Sequence, residues 1–168
     1  MKNIILLTAF ILLINNSYGQ SKIKYNNVRA YTISSEKIEF NNDKNRIFIL
    51  ISNLSCSACI NETAYKIDKL RNLLNDSCEY IIITLGDSEN ILYNRNIINY
   101  YSDIFKSIDK FLFVFQENSN TIFEFKRSLN SNYPKIFIAS KNSKFIFIEN
   151  YNSFNVEKAI QILTRQQN

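Results

Sequence analysis

The chain has 168 residues, of which 46% are hydrophobic and 21% are charged, and its formal net charge is +5. This length fits one domain with an extension, and the apolar content excludes a wholly disordered chain. Two glycines cannot form a glycine-rich phosphate loop, and the lack of histidine excludes His-based triads and most catalytic zinc sites. The Lys and Arg residues are spread along the chain without a nucleic-acid-binding motif, so we expect no nucleic-acid partner.

Residues 1–19 have the three regions of a secretory signal peptide. Lys2 gives a positive start, residues 4–14 are almost wholly apolar, and Ser17 and Gly19 are small enough to flank a cleavage site. The apolar run is about half of the roughly 20 residues that cross a bilayer. We therefore expect an exported protein, periplasmic or secreted, with no stable membrane insertion after cleavage. An uncleaved N-terminal anchor is the alternative.

Residues 20–45 form a polar, Asn-rich extension with one alternating stretch at 30–40, which predicts a leading strand or hairpin at a sheet edge. The segment 46–52 is apolar on both faces and is typical of a buried parallel strand. Apolar side chains then recur at helical spacing from about Ser57 onwards. The sequence thus predicts a strand that leads directly into an amphipathic helix.

Cys56 and Cys59 form a CxxC motif at this strand-to-helix junction. A disulfide over so few residues constrains the unfolded chain little, but two thiols at a helix N-terminus can open and close by exchange. We expect Cys56 to be an exposed nucleophile of low pKa and Cys59 to be the buried resolving thiol. A structural disulfide or a site that has lost its activity is the alternative, and metal binding is disfavoured by the small number of ligands. Cys78 precedes an apolar run and is predicted to be a core residue.

The rest of the chain alternates between predicted strands and helices. Strands are expected at 80–85, 111–115, 135–139 and 145–148, with helices at 91–108 (one or two), 121–129 and 154–163. Ser153 or Asn155 is expected to cap the last helix. Strand and helix alternation followed by a hairpin predicts an α/β fold with a central mixed sheet flanked by helices.

This order resembles the thioredoxin fold, and the helical segment at 91–108 resembles the insert of its TlpA-like branch of exported thiol-disulfide oxidoreductases. The resemblance implies that Pro134, which precedes the first hairpin strand, is a cis-proline facing the CxxC. It also implies that Tyr133 and Pro134 bind substrate. Glu62 completes the pattern C-x-x-C-x-x-E and, by resemblance, would accept a proton from Cys59.

The resemblance implies an exported thiol-disulfide oxidoreductase that exchanges with client proteins through Cys56, Cys59 and Glu62. No bound cofactor is expected, and a redox partner must supply or accept electrons. A thioredoxin-fold binding module with little turnover is the alternative. A peroxiredoxin is disfavoured, because Asn53 stands where the resemblance would require Thr or Ser before a reactive cysteine. The domain boundaries expected are a signal peptide at 1–19, an extension at 20–45 and a thioredoxin-like domain at 46–168.

Overall fold

A computed structural model describes residues 29–40, 43–74, 77–115, 131–141 and 145–165. The elements within these ranges are strands β1 (Ala30–Tyr31), β2 (Lys37–Ile38), β3 (Asn45–Ile51), β4 (Cys78–Gly86), β5 (Lys110–Phe115), β6 (Lys135–Ala139) and β7 (Phe145–Asn150), and helices α1 (Ser57–Leu74), α2 (Ile91–Ile104) and α3 (Val156–Arg165). The predicted signal peptide and the predicted helix at 121–129 lie outside the described residues.

The seven strands form one mixed sheet in the order β2-β1-β5-β4-β3-β6-β7. Strand β4 is parallel to both β3 and β5, whereas β6 runs antiparallel to β3 and pairs with β7 as the closing hairpin. Every residue of β3 is buried, as expected of a central strand covered on both faces. The α/β prediction and the mixed sheet are confirmed.

Side-chain alternation along β3 divides the core into two clusters. Ile47, Ile49 and Ile51 belong to the cluster packed by the helices, whereas Phe48 and Leu50 belong to a second cluster on the other face. All three described helices contribute to the first cluster. One face of the sheet therefore positions the N-terminus of α1 directly beyond the carboxyl end of β3.

The extension forms the predicted hairpin at the sheet edge. Strands β1 and β2 pair antiparallel, and Tyr31 of β1 pairs with Phe113 of β5. Ile38 and Phe40 pack against the second core cluster. The extension is thus continuous with the sheet and also covers part of it.

Two helices are confirmed with altered details. Residues 91–108 contain one described helix, α2, whose first turn is capped by the Asn90 side chain accepting from the Tyr93 amide. Ile91 is half exposed, because the buried side of α2 is formed around Tyr101. The Asn155 side chain accepts a hydrogen bond from the Lys158 amide at 2.8 Å, so Asn155 is the cap of α3. Within the described ranges, every helix is too short or too polar to cross a bilayer.

The amino ends of β3 and β4 carry a group of charges centred on two largely buried side chains, Arg46 and Glu79. Arg46 donates to Glu79 at 2.6 Å and to Asp43 at 3.0 Å, and the Lys110 ammonium lies 2.6 Å from the other Glu79 oxygen. The side chains of Arg46 and Glu79 are 5% and 13% exposed. Each charge removed from water here is paired with an opposite charge, as burial requires.

Candidate functional site

Cys56 occupies the N-cap of α1 and is exposed, whereas Cys59 lies in the first turn and is 4% exposed. The Cys56 carbonyl accepts from the Ile60 amide at 3.0 Å, and the Cys59 amide donates to Cys56 Sγ at 3.1 Å. The sulfur therefore takes the place that a Ser or Asp oxygen usually takes at a helix N-terminus. An amide and the positive end of the helix dipole both face the atom that would carry charge as a thiolate.

The two cysteines are joined by a disulfide, with their Cα atoms 5.2 Å apart. This is the oxidised state of the motif. The predicted difference in exposure between the two cysteines is confirmed. Their chemical roles stay predictions, because roles are tested by reaction and not by position.

The connection between β3 and α1 is held by two serines. The buried Ser52 hydroxyl accepts from the Leu54 amide at 2.9 Å, and the Ser55 hydroxyl accepts from the Ser52 amide at 3.2 Å. The Ser55 amide also donates to the Ser52 carbonyl at 3.0 Å. These bonds fix the turn that aims Cys56 outwards. The sequence predicts only that the strand leads directly into the helix here, although Ser residues in a turn are a known signal of such bonding.

The segment preceding β6 reaches the motif through a backbone carbonyl. The Cys56 amide donates to the carbonyl of Asn132 at 3.3 Å, so the structure places Asn132, two residues before Pro134, beside the CxxC. The contact is made by Asn132, which the sequence did not single out. A backbone acceptor carries no side-chain signal, so a sequence pattern could not identify it.

The prediction that Pro134 follows a cis peptide bond is wrong: the described residues contain no cis peptide. The chain is turned instead by Ser131, whose hydroxyl accepts from the Tyr133 amide at 3.2 Å. Tyr133 stacks on Tyr151, with ring centroids 5.8 Å apart, and the buried Pro134 accepts from the Tyr151 amide at 3.1 Å. A turn closed by a serine and an aromatic pair accommodates the trans bond, which X–Pro bonds prefer. Tyr133 nevertheless stays 51% exposed near the motif.

Glu62 lies one turn beyond Cys59 on α1 and is bonded to Lys66. The Lys66 ammonium is 2.8 Å from the carboxylate, whose side chain is 49% exposed. The same ammonium donates to the Tyr151 carbonyl at 2.7 Å. Lys66 thereby connects Glu62 to Tyr151, whose ring stacks on that of Tyr133.

Cys78 is a free, buried thiol at the amino end of β4. Burial raises the pKa of this thiol, and the Ser77 hydroxyl partly opposes the effect. The position in the first core cluster confirms the prediction of a core residue. A neutral thiol without solvent access is a poor nucleophile.

No protein-family model matches the sequence, and no curated protein matches it. Its fold is similar to that of solved structures. BsSco, a member of the Sco family of cytochrome c oxidase assembly proteins, is 12% identical with a TM-score of 0.59, over 88% of this chain and 95% of that chain. A thioredoxin-like protein from Porphyromonas gingivalis is 16% identical with a TM-score of 0.55, over 83% and 88% of the two chains. The exposed lipoprotein thioredoxin Etrx1 of Streptococcus pneumoniae strain TIGR4 is 10% identical with a TM-score of 0.52, over 82% and 97%.

The chain therefore has a thioredoxin-like fold, and the prediction of this fold is confirmed. The Cys56–Cys59 disulfide lies at the N-terminus of the helix that follows the central strand. At these levels of identity the likeness establishes the fold, and the activity has to be argued from the site.

Proposed function

We propose that this protein is an exported thiol-disulfide oxidoreductase that acts on client proteins. The observation that carries the proposal is the asymmetry of the CxxC: Cys56 is exposed at a helix N-terminus, and its partner Cys59 is buried behind it. An exposed sulfur can be reached by a client disulfide, and a helix N-terminus favours the thiolate that must attack. A structural disulfide would gain nothing from this difference in exposure.

The reaction starts from the reduced dithiol. The Cys56 thiolate attacks one sulfur of a client disulfide, which forms a mixed disulfide and expels the other client sulfur as a thiolate. Cys59 then loses its proton and attacks Cys56 Sγ, which restores the Cys56–Cys59 disulfide and releases the second client sulfur. Two electrons pass from the protein to the client, so a redox partner must reduce the disulfide again.

Four residues support these steps in the proposal. The Cys59 amide stabilises charge on Cys56 Sγ through the 3.1 Å hydrogen bond. Glu62, one helical turn from Cys59 and half exposed, receives the Cys59 proton and passes it to solvent. Tyr133 and Pro134 offer an exposed ring and a buried turn beside Cys56, against which a client segment lies.

Export belongs to the proposal as well, with a signal peptide at 1–19, an extension at 20–45 and a thioredoxin-like domain at 46–168. It is supported by the signal-peptide pattern in the sequence and by the description of Etrx1 as an exposed lipoprotein. Expression in a bacterium followed by fractionation tests it. Intact mass should show a periplasmic product that begins at Gln20, and a cytoplasmic product of full length would contradict export.

The activity is tested by the reduction of insulin with dithiothreitol as electron donor. The wild-type protein should accelerate precipitation of the insulin B chain, and Cys56→Ser should abolish the acceleration. Cys78→Ser is the matched control, because it removes a buried thiol at the other end of the parallel strands from the motif. If wild type and Cys56→Ser are equally inert, the thioredoxin-fold binding module becomes the better account.

A further inference from the structure

A cavity of about 400 Å³ lies between the CxxC and α2. Its lining on the motif side includes Ser55 and Ser57, which flank Cys56 in the chain. On the other side α2 contributes Tyr93, Ile97 and Tyr100, which recur at a spacing that places them on one helix face. The cavity therefore opens beside the exposed cysteine, with mostly aromatic and aliphatic side chains on its α2 side and serines on its motif side. Residues 131–134 do not line it, so it is distinct from the Tyr133 and Pro134 surface.

A second cavity, of about 440 Å³, adjoins the first, since Asn53 and Tyr93 line both. Two carboxylates, Asp87 and Glu89, line this second cavity, and no Lys or Arg is among its lining residues in the described part of the chain. Both carboxylates are exposed and neither is in an ion pair with a described residue. This local negative surface stands out on a chain whose net charge is +5.

Two exposed aromatic side chains line the first cavity, and other exposed apolar side chains are close to them in the chain. Leu54 precedes the motif, and α2 exposes Ile91, Leu92, Tyr93 and Tyr100, with Tyr93 40% and Tyr100 50% exposed. Tyr93 and Tyr100 are seven positions apart and lie on one face of α2, whereas Ile91 and Leu92 directly precede Tyr93 and point in other directions. Exposed aromatic side chains that line a cavity are typical of a surface that binds another molecule.

We propose that these two adjoining cavities, which we call the α2 groove, bind a client segment of a particular chemistry. The first cavity takes an aromatic or large aliphatic side chain of the client, next to the cysteine that reacts with Cys56. The second takes a Lys or Arg a short distance along the same segment, attracted by Asp87 and Glu89. The inference deepens the proposed function, because it names the class of client sequence that the dithiol meets.

Binding of peptides to the oxidised protein tests the groove without any redox step. The probe is a fluorescent peptide with Ser in place of the reactive Cys, an adjacent Phe and a nearby Lys, and binding is measured by anisotropy at low salt. Two companion peptides replace the Phe by Ala or the Lys by Glu. We expect the probe to bind about tenfold more tightly than either companion.

Variants of the groove test which residues are responsible. Tyr100→Ala should remove most of the preference for Phe, whereas Tyr65→Ala, equally aromatic and 70% exposed on α1 outside both cavities, should not. Glu89→Lys should reverse the preference between the Lys and Glu peptides, whereas Asp103→Lys, on the exposed side of α2, should leave it unchanged. Thermal unfolding of each variant checks that it is folded.

Equal affinity for the three peptides, absence of binding, or unchanged preferences in Tyr100→Ala and Glu89→Lys would each overturn the inference. The insulin assay reports separately on the proposed function. If the protein binds the probe selectively but does not reduce insulin, the inference of a binding groove stands and the proposed oxidoreductase activity is wrong. If it reduces insulin but binds all three peptides equally, the proposed activity stands and the inference of a binding groove is wrong.

Discussion

The two ends of the central parallel strands carry cysteines in opposite environments. At the amino end, Cys78 of β4 pairs in register with Asn45 of β3, and the next pair is Arg46 with Glu79. There the Cys78 thiol is buried, and the charges of Arg46 and Glu79 form an ion pair. At the carboxyl end, β3 leads into a turn that exposes Cys56 at a helix N-terminus.

The difference shows that the fold, and not the residue type, decides what a cysteine can do. Parallel strands leave their carboxyl ends next to helix N-termini, where amide groups point towards solvent. At the amino end the same sheet presents buried polar groups, which are stable only if the chain supplies partners for them. The carboxyl end of the strands is therefore available to other molecules, whereas the polar groups at the amino end are paired within the protein.

The largest expected effect separates the two cysteines of the motif. Cys59→Ser should accumulate mixed disulfides with clients, because attack by Cys56 survives and resolution does not. Cys56→Ser should accumulate almost none, since the remaining thiol is buried. Non-reducing gels after alkylation of a periplasmic extract measure both, and Cys78→Ser serves as the control. Equal trapping by the two motif variants would contradict the assigned roles.

At the other end of the strands, Glu79→Ala should lower the free energy of unfolding by about 3 kcal/mol, because it removes the largely buried carboxylate that pairs with both Arg46 and Lys110. Urea unfolding measures the loss. The double variant Arg46→Met with Glu79→Leu removes both charges and should be clearly more stable than Glu79→Ala alone. If the single variant is as stable as wild type, the ion pairs of Glu79 contribute nothing to the free energy of unfolding. The interpretation that burial here depends on paired charges is then wrong.

Lys66 joins α1 to the segment beside the motif, and Lys66→Met should lower the free energy of unfolding by about 1–2 kcal/mol. Methionine keeps the apolar stem but loses the 2.7 Å bond to the Tyr151 carbonyl. Lys69→Met is the matched control on the same helix, since its pair with Glu157 is exposed, and it should be close to wild type. A larger effect for Lys69→Met than for Lys66→Met would contradict this account.

The smallest expected effect is a decline of stability in alkaline solution. Burial raises the pKa of Tyr101 to about 12. Its phenol is protonated in both states below about pH 10, but above this the unfolded chain releases the proton first, so stability falls as pH rises towards 12. Burial raises the pKa of Cys78 and Tyr80 as well, so Tyr101→Phe should remove only part of the slope. Urea titrations between neutral and alkaline pH measure the slope, and Tyr65→Phe, 70% exposed on α1, should leave it nearly unchanged.

Most of the fold could be predicted from the sequence because its central elements have strong local patterns. A continuous apolar run identifies β3, and helical spacing identifies α1, so the position of the CxxC at their junction follows from local residues alone. Strands β1 and β2 were expected only as a hairpin within 30–40, since strands of two residues have no periodicity to detect. In α2, isoleucines occur on several sides of the helix, so the sequence could not tell that Ile91 is exposed and Tyr101 buried.

The site could be predicted in its sulfur chemistry and less well in its surroundings. Asn132 contacts Cys56 through a carbonyl, and Tyr133 is placed by a ring from a distant part of the chain. Such contacts depend on tertiary packing, which a motif does not encode. The cis bond at Pro134 was expected by resemblance alone, and the turn formed by Ser131 replaces it.

The short β1–β2 hairpin has a consequence for the solubility of the chain. Strand β5 reads KFLFVF, and one of its edges is paired with β4. An open edge of this composition is a template for pairing with strands of other molecules, which is how aggregates begin. The hairpin occupies that edge through Tyr31, and its own strands are only two residues long. The hairpin therefore protects this edge of β5 from pairing with other molecules. A variant that lacks all residues up to 40 would expose the aromatic edge of β5 to other copies of the protein.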